Sequence, residues 1–521
     1  MFSKLFNTVV TAAIAASLVL TQGCSFIPEY QRPDLPVETA WPSEDQIREG
    51  QPSQDQVRDD GVKAPAQNGA IQKDPVSRDL ADKTAPAGSK EKEALMPAAK
   101  IGWQAYFLST NLRQIIALAL DHNRDLKIAL LNIERARAAY RIEKADTLPV
   151  IAGSAGASRQ GVPEDSSAAG TAYTSDTTLS ANLGLTAYEL DFFGRVKSLN
   201  EKALEVFLAS EEAALSTRIA LIAQTSDAYV TLLADQKLLV LARDTFKAQK
   251  ETYDVIKKQF EVGSATRLSL AQAATSVESA RVSIAQYTRL VAQAENALIL
   301  LAGPQVKDKI TPEETIDDIR FLENLPPGMP SQVLLARPDI RAAEHRLKAS
   351  NADIGAAQAA LYPTISLTGT LGFSSQSLDA LFDVSDSLAW GFAPSLSIPI
   401  FNREGLNASL ESARVSEKIA AAEYEDAVQT AFREVADQLA ARKTYKDQLD
   451  AQNALVSATH EAFILSKARY ENGVDDFLAV LDSQRSLFAA QQGAIAIRQA
   501  FLSNLIHLYK VMGGGQIDGG E

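Results

Sequence analysis

A chain of 521 residues, 46% hydrophobic and 22% charged, has ample material for a core and room for several domains. Its formal net charge of −14 argues against a nucleic-acid partner, which calls for a basic patch. A single cysteine excludes an intramolecular disulfide.

The chain opens on Lys4, an apolar run from Val9 to Leu20, and small residues before Cys24. That run is too short for a transmembrane span, so residues 1–23 read as a secretory signal. The segment LTQGC resembles a bacterial lipobox, although Thr21 stands where that pattern prefers Leu. The resemblance implies cleavage before Cys24 and a covalent lipid on it, N-palmitoyl and S-diacylglycerol, with Ser25 fitting outer-membrane sorting. The plainer alternative is an ordinary signal with an incidental cysteine. Acyl chains contribute about 0.8 kcal/mol per buried CH₂, enough for two or three of them to hold the N-terminus to a membrane. Residues 24–100 form the anchored N-terminal segment. From Pro42 to Pro97 it is polar and aperiodic, with too little apolar area to offset its ordering entropy, and is expected to be an extended tether.

The first repeat spans residues 101–302. Leu112 to Ala145 carries an apolar stripe (Ile115, Ile116, Ala119, Leu126, Leu130) and reads as one helix ended by Pro149. Two strands are expected at about 150–159 and 177–191, the second alternating Leu179, Ala181, Leu183, Leu185, Ala187 with Ser180, Asn182, Gly184, Thr186. A polar loop, Gln160 to Asp176, lies between them. Val196 to Val262 contains no proline and would reach about 100 Å as helix. Leu232, Leu239, Phe246, Tyr253 and Phe260 recur on it every seven residues, the period of left-handed supercoiling. After Gly263 a helix returns from Thr266 to Leu301.

A linker rich in proline and acid, 303–330, precedes a second repeat at 331–512. It holds a helix Ser331–Leu361, strands at about 364–374 and 388–401, a long helix Glu404–Asn472 and a last helix Asp475–Val511. A short tail covers 513–521. The repeats align at an offset of about 210 residues, with Phe260 on Tyr470, Gly263 on Gly473, Leu268 on Leu478 and Gly303 on Gly513. A second register, offset by about 214, places Asp125 on Asp339 and Pro149 on Pro363. The chain is one unit written twice: helix, strand, strand, long helix, helix.

Each strand is about ten residues of apolar and polar alternation, which suits a membrane β-barrel with one face to lipid and one to water. The competing reading is a soluble sheet with one buried face. It is opposed by a polar face of Ser, Thr, Gly, Ala and Asn with little charge, and by the lipoprotein-like start. Four strands cannot close a barrel, and open edges in lipid leave backbone groups unpaired at several kcal/mol each. Two chains give eight strands filled by side chains; three give twelve, with room for a channel. The expected fold is therefore an α+β membrane protein: a homotrimeric twelve-stranded outer-membrane barrel continuous with a long periplasmic coiled barrel of helices.

The segments CSFIPEYQRP at Cys24, NRDLKIALLNIERARAAYRI at Asn123, AYELDFFGRVKSL at Ala187, ARPDIRAAEHRL at Ala336, FREVADQLAAR at Phe432, RYENGVDDFLAVLDSQRSLF at Arg469 and LYKVMGGG at Leu508 carry a family resemblance. The chain resembles an outer-membrane efflux protein of the TolC superfamily, closest to the lipoprotein branch typified by OprM. The resemblance implies an exit duct in the Gram-negative outer membrane, reaching into the periplasm and gated at its helix tips. It implies as partners a periplasmic adaptor and an inner-membrane resistance-nodulation-division pump. By the same resemblance the constriction is lined by Leu478 and Asp482, with Tyr470, Asp475 and Arg485 nearby. The adaptor docks at Val262, Gly263, Ser264, Asn472, Gly473 and Val474. Leu478 and Asp482 are four apart and share a helix face; three copies around an axis would set an apolar ring beside a carboxylate ring. Arg485 follows Asp482 by three and is a candidate to hold it. The plain alternative is a solvated charged face. Ser269 departs from the family, which often has aspartate there. Arg267 either compensates or pairs with Asp475 or Asp476.

Catalytic motifs are missing from the reading. His460-Glu461 begins like a zinc-protease motif, but Ile464 stands where the second His would be, and no Walker loop, GxSxG or dinucleotide fingerprint occurs. No enzyme, cofactor or metal site is expected. The alternatives to a small-molecule duct are type I protein secretion, metal-ion efflux (with Met sparse), or a lipid-anchored scaffold without a pore.

Overall fold

The computed structural model describes residues 25–37, 41, 98–163, 173–309, 314–322 and 331–517. The signal, Cys24, the tether from Pro42 to Pro97 and the end of the tail lie outside the described residues, as does part of the linker. The described chain falls into two compact units, and each takes segments from both repeats.

The first unit holds residues 25–36, 124–217 and 338–430. Its centre is a four-stranded antiparallel meander in the order β1-β2-β3-β4. The strands are β1 (Ile151–Pro163), β2 (Tyr173–Leu190), β3 (Thr364–Ser375) and β4 (Leu388–Ser397). The strands of the first hairpin are longer than the sequence suggests. The ladder runs out to Pro163 paired with Tyr173, taking in much of the expected Gln160–Asp176 loop. Ser, Thr and Gly there pair as readily as the apolar residues before them, because strand hydrogen bonding is a backbone property.

Register fixes the faces. Ala155, Ala181, Phe373 and Leu388 lie abreast across the sheet, and Gly153, Leu183, Leu371 and Trp390 form the neighbouring row. One face is thus nearly all apolar, while Ser154, Asn182, Gly372 and Ala389 lie abreast on the other. The expected alternation fails at Ala187. A bulge between Leu185 and Tyr188, with Ala187 at φ 44°, shifts the phase so that Tyr188 and Leu190 oppose Leu367 and Ile365. The fourth strand also stops early, at Ser397, just before Ile398-Pro399, since proline has no N–H for the ladder.

On the side of the sheet away from its two loops stand α2 (Arg124–Ala145), the start of α3 (Arg195–Glu261), α5 (Pro338–Ala359) and the start of α6 (Arg403–Glu471). Helix α5 packs on α6 through Ile354, Leu410 and Ala413. It pairs with α3 through Arg341 and Glu212, and through His345 Nδ1 and Glu205 Oε2 at 2.5 Å. Residues 25–36 run as a strap on α5. Phe26 stacks on Tyr362, which lies between it and Phe193, and Arg32 bonds to both oxygens of Glu344 at 2.8 Å.

The second unit holds residues 37–123, 218–337 and 431–521. It contains α1 (Thr110–His122), α4 (Arg267–Ala302), α7 (Phe477–Val511) and the remaining parts of α3 and α6. The single helix expected over Leu112–Ala145 is broken at Asn123, an extended residue at ψ 134°. The helix expected from Ser331 breaks at the matching place: a 3-10 turn over Ser331–Ala336, then Arg337, then Pro338 as the first residue of α5. That helix ends at Ala359, ahead of Tyr362-Pro363. Tyr106, Phe107, Phe321 and Tyr509 form an aromatic core, with the Tyr106 and Tyr509 rings 4.0 Å apart and 5° from parallel. Burial pushes the Tyr106 hydroxyl well above the usual phenol range, and it donates to Leu505 O at 2.8 Å. Of the seven-residue grid, Leu232 is fully buried, whereas Phe260 is 38% exposed.

Candidate functional site: the paired helix tips

Helices α3 and α6 end in the same hydrogen-bonded turn. Gly263 N–H donates to Phe260 O at 3.0 Å and Ser264 N–H to Gln259 O at 2.8 Å; Gly473 N–H donates to Tyr470 O and Val474 N–H to Arg469 O, both at 2.9 Å. This pair of hydrogen bonds closes a helix with a left-handed residue, and the glycines sit at φ 79° and 72°. The returning helices begin on side-chain caps. Thr266 accepts from Ser269 N–H at 3.1 Å and Asp476 from Ala479 N–H at 3.3 Å. Ser269 also exchanges a hydroxyl bond with Thr266 at 2.8 Å, so the residue that departs from the family is spent on this cap.

Behind the turns all four helices share one core. Ile256 from α3, Ala273 from α4 and Phe477, Val480 and Leu481 from α7 are buried together, with Phe463 and Tyr470 of α6 against them. Tyr470 faces this core. Its ring lies 5.5 Å from that of Phe477, and its hydroxyl donates to Gln259 Oε1 at 3.2 Å, tying one tip to the other.

With Phe477, Val480 and Leu481 inward, helical spacing turns Leu478, Asp482 and Arg485 outward on one stripe, and all three are exposed. Leu478 keeps 49% of its surface in the open, a large apolar side chain beside a carboxylate. No ion pair joins Arg485 to Asp482 among the described residues. Asp475 bonds to Arg469, Nε to Oδ2 at 2.6 Å and the second nitrogen to Oδ1 at 2.8 Å. That hydrogen bond and the Arg469 charge hold the Asp475 carboxyl below the usual range. Asp476 is the cap of α7, and among the described residues Asp475 pairs with Arg469 while no ion pair joins Arg267 to either aspartate. The tip residues Val262, Gly263, Ser264, Asn472, Gly473 and Val474 are all exposed, Val262 at 79% and Val474 at 62%.

The sequence reading passed over Arg469 and Gln259. The first is recognisable as a cation facing an acid across the Gly473 turn. The second is the counterpart of Arg469 in the first repeat, which has Ala265 in place of the acid. Leu268, counterpart of Leu478, is 67% exposed and belongs to the same description.

Two helical hairpins of one design, joined to a four-stranded sheet with an apolar face, agree with what known proteins resemble. The family model described as outer membrane efflux protein matches residues 115–304 and 329–514. The chain belongs to the outer membrane efflux protein family. It is 41% identical over 503 residues to the toluene efflux pump outer membrane protein TtgC of Pseudomonas putida, covering 96% of this chain and 95% of that one. It is 39% identical over 508 residues to the outer membrane protein OprJ of Pseudomonas aeruginosa, covering 97% and 96%. Among solved structures it resembles the open state of the Neisseria gonorrhoeae MtrE outer membrane channel, with a TM-score of 0.77, 32% identity, and coverage of 95% of this chain and 99% of that one. The chain is an outer-membrane efflux channel component that extends into the periplasm, and its sheet is the membrane-spanning part.

Proposed function

We propose that three chains join edge to edge, β4 of one against β1 of the next, into a twelve-stranded barrel whose apolar face meets lipid and whose polar face lines a pore. The two strand edges left unpaired in each four-stranded sheet support this reading, because lipid does not tolerate them open. The helix tips form the periplasmic mouth, with Leu478 and Asp482 lining it and Arg485 beside them. The turns at Val262, Gly263, Ser264 and at Asn472, Gly473, Val474 receive a periplasmic adaptor coupled to an inner-membrane pump of the resistance-nodulation-division class. Cys24 carries the lipid anchor. The duct passes small apolar and amphiphilic molecules passively and performs no chemistry on them.

The observation that carries the gate is the exposed stripe itself. A half-exposed leucine and a carboxylate one turn apart, braced from behind by a four-helix core, is what a constricting ring needs from each chain. The test is intracellular accumulation of a dye and several unrelated antibiotics in a deletion strain, complemented with wild type and Asp482→Ala. Broad accumulation reversed by wild type supports a multidrug duct. Normal accumulation in a strain with no second such channel points to protein export or metals and overturns the small-molecule reading.

A further inference from the structure

The loop joining β3 to β4, residues 376–387, is built rather than slack. Ser387 Oγ donates to Leu381 O at 2.7 Å and to Asp383 O at 2.6 Å. Asp383 in turn accepts from Ser385 N–H at 3.0 Å and from its hydroxyl at 2.6 Å. Leu381 is buried at 6%, yet Leu378, Phe382 and Val384 are 72%, 67% and 65% exposed. Three large apolar side chains held outward by a hydrogen-bonded loop call for a partner.

The side of the sheet they lie on decides which. The Phe382 ring sits edge-on to that of Phe373, centroids 5.7 Å apart and planes at 67°. Phe373 belongs to the apolar face, abreast of Leu388 and Ala181. Phe382 also borders a groove of about 600 Å³ on the sheet, lined by Gly153, Ala155, Ala181, Leu183, Leu371 and Leu388, with Ser154 and Asn182 reaching it between them. The small residues Gly153, Ala155 and Ala181 lie toward the β1 edge, beside the larger Leu371, Phe373 and Leu388, and leave a mostly apolar hollow. A lid over the pore would have to pack on the face opposite Phe373, not against its ring. The loop is also at the end of the strands away from α2, α5 and the long helices, which is the outer end of the barrel.

We propose that this groove takes an acyl chain of the outer-leaflet lipid around the barrel, and that Leu378, Phe382 and Val384 sit in that leaflet, making the β3–β4 loop a membrane anchor. Asp379, Asp383 and Asp386, all exposed, stay at the headgroup level on the same loop. The occupant follows from continuity: the groove is part of the face that the barrel turns to lipid. The proposal rests on that reading of the sheet.

The test keeps the two apart. Single cysteines at Leu378, Phe382 and Val384 are spin-labelled on the full chain in vesicles of phosphatidylethanolamine and lipopolysaccharide, with the chain lacking an added cysteine as background for Cys24. Labels at Leu371 and Thr370 report the two sheet faces. Collision with oxygen several-fold above collision with a water-soluble nickel chelate, at the loop sites and Leu371 but not at Thr370, is the expected result. Leu371 in lipid with the loop labels in water overturns the anchor alone. Leu371 in water overturns the orientation of the sheet. Loop labels shielded from both probes point to a neighbouring copy as occupant and overturn the lipid assignment. As a second reading, Phe382→Ala purified in mild detergent should retain several-fold less co-purified lipid than wild type by mass spectrometry, while Thr370→Ala retains as much.

Discussion

The guanidinium of Arg337 donates to the main-chain oxygen of Val511 at 2.8 Å, the last residue of α7. The amide of Asn123 donates in the same way to Leu301 O at 3.2 Å, one residue before the end of α4. Arg337 and Asn123 occupy equivalent breaks in the two repeats, and so do Val511 and Leu301. The duplication therefore preserves a tie between an interrupted helix and the end of the closing one, satisfying a carbonyl that the helix leaves without a partner. Arg337 has further work, since it also pairs with Glu434 at 2.9 Å while 9% exposed. Arg337→Ala is expected to cost about 1–3 kcal/mol, because it leaves the Val511 carbonyl without its donor, while water takes up the partly exposed Glu434 carboxylate. Arg337→Lys should recover less than half, since an ammonium cannot serve both acceptors as a fork does. Thermal unfolding of the purified protein checks both.

The same positions mark what the sequence could and could not convey. The repeats, the long helices and the turns at Gly263 and Gly473 were legible because period and glycine position are local signals. The break at Asn123 was not, since the apolar stripe of α1 continues into α2 and only the distant carbonyl of Leu301 explains the interruption. The bulge at Ala187 was hidden for a related reason: alternation continues through it in the sequence while pairing with β3 shifts phase. Leu478 and Asp482 came from family resemblance and helical spacing. The bracing of the tip by Tyr470 and Gln259 crosses about 210 residues and has no local signature, whereas the Arg469–Asp475 pair spans only its own turn.

Two glycines should respond oppositely to the same substitution. At Gly473 an added Cβ meets nothing within 4 Å, so Gly473→Ala bears only the left-handed backbone cost, about 1 kcal/mol. At Gly372 the Cβ would lie 2.3 Å from Ala181 O, inside the pairing of β2 with β3. Gly372→Ala is expected to prevent barrel assembly, read as loss of heat-resistant oligomer on gels. Gly473→Ala should assemble normally.

The strap is expected to loosen in acid. Burial pushes Glu344 up, but the Arg32 hydrogen bonds and the Lys348 charge outweigh it and hold the carboxyl below its usual value. A carboxylate lowered by folding contributes stability above its unfolded value, near 4.3, and that contribution is lost as pH falls through the folded value. The hydrogen-exchange protection factors over residues 25–36, taken relative to the intrinsic rate at each pH, should be constant from pH 8 to about 5 and fall below that range. Glu344→Gln should show the lower protection already at neutral pH and lose its dependence on acid.

The mouth should be held by two separable elements. Leu478 and Asp482 face outward from α7, whereas Asp475 is bound to Arg469 within its own turn. If the outward stripe forms the constriction, Asp482→Ala removes a carboxylate ring without disturbing the core of Phe477, Val480 and Leu481, so conductance in planar bilayers should rise and cells should become sensitive to large antibiotics such as vancomycin. Asp475→Asn should act differently. It frees Arg469 and loosens the α6–α7 turn, leaving folding unchanged because the pair is exposed and such pairs contribute little. Its effect on conductance should be reproduced in wild type by raising the salt concentration, which screens an exposed pair within a Debye length of about 10 Å at 0.1 M. The Asp482→Ala conductance should persist across the same salt series. Equal leakage from wild type and Asp482→Ala would move the constriction off this stripe, and Leu268, exposed on the first hairpin, would be the next residue to test.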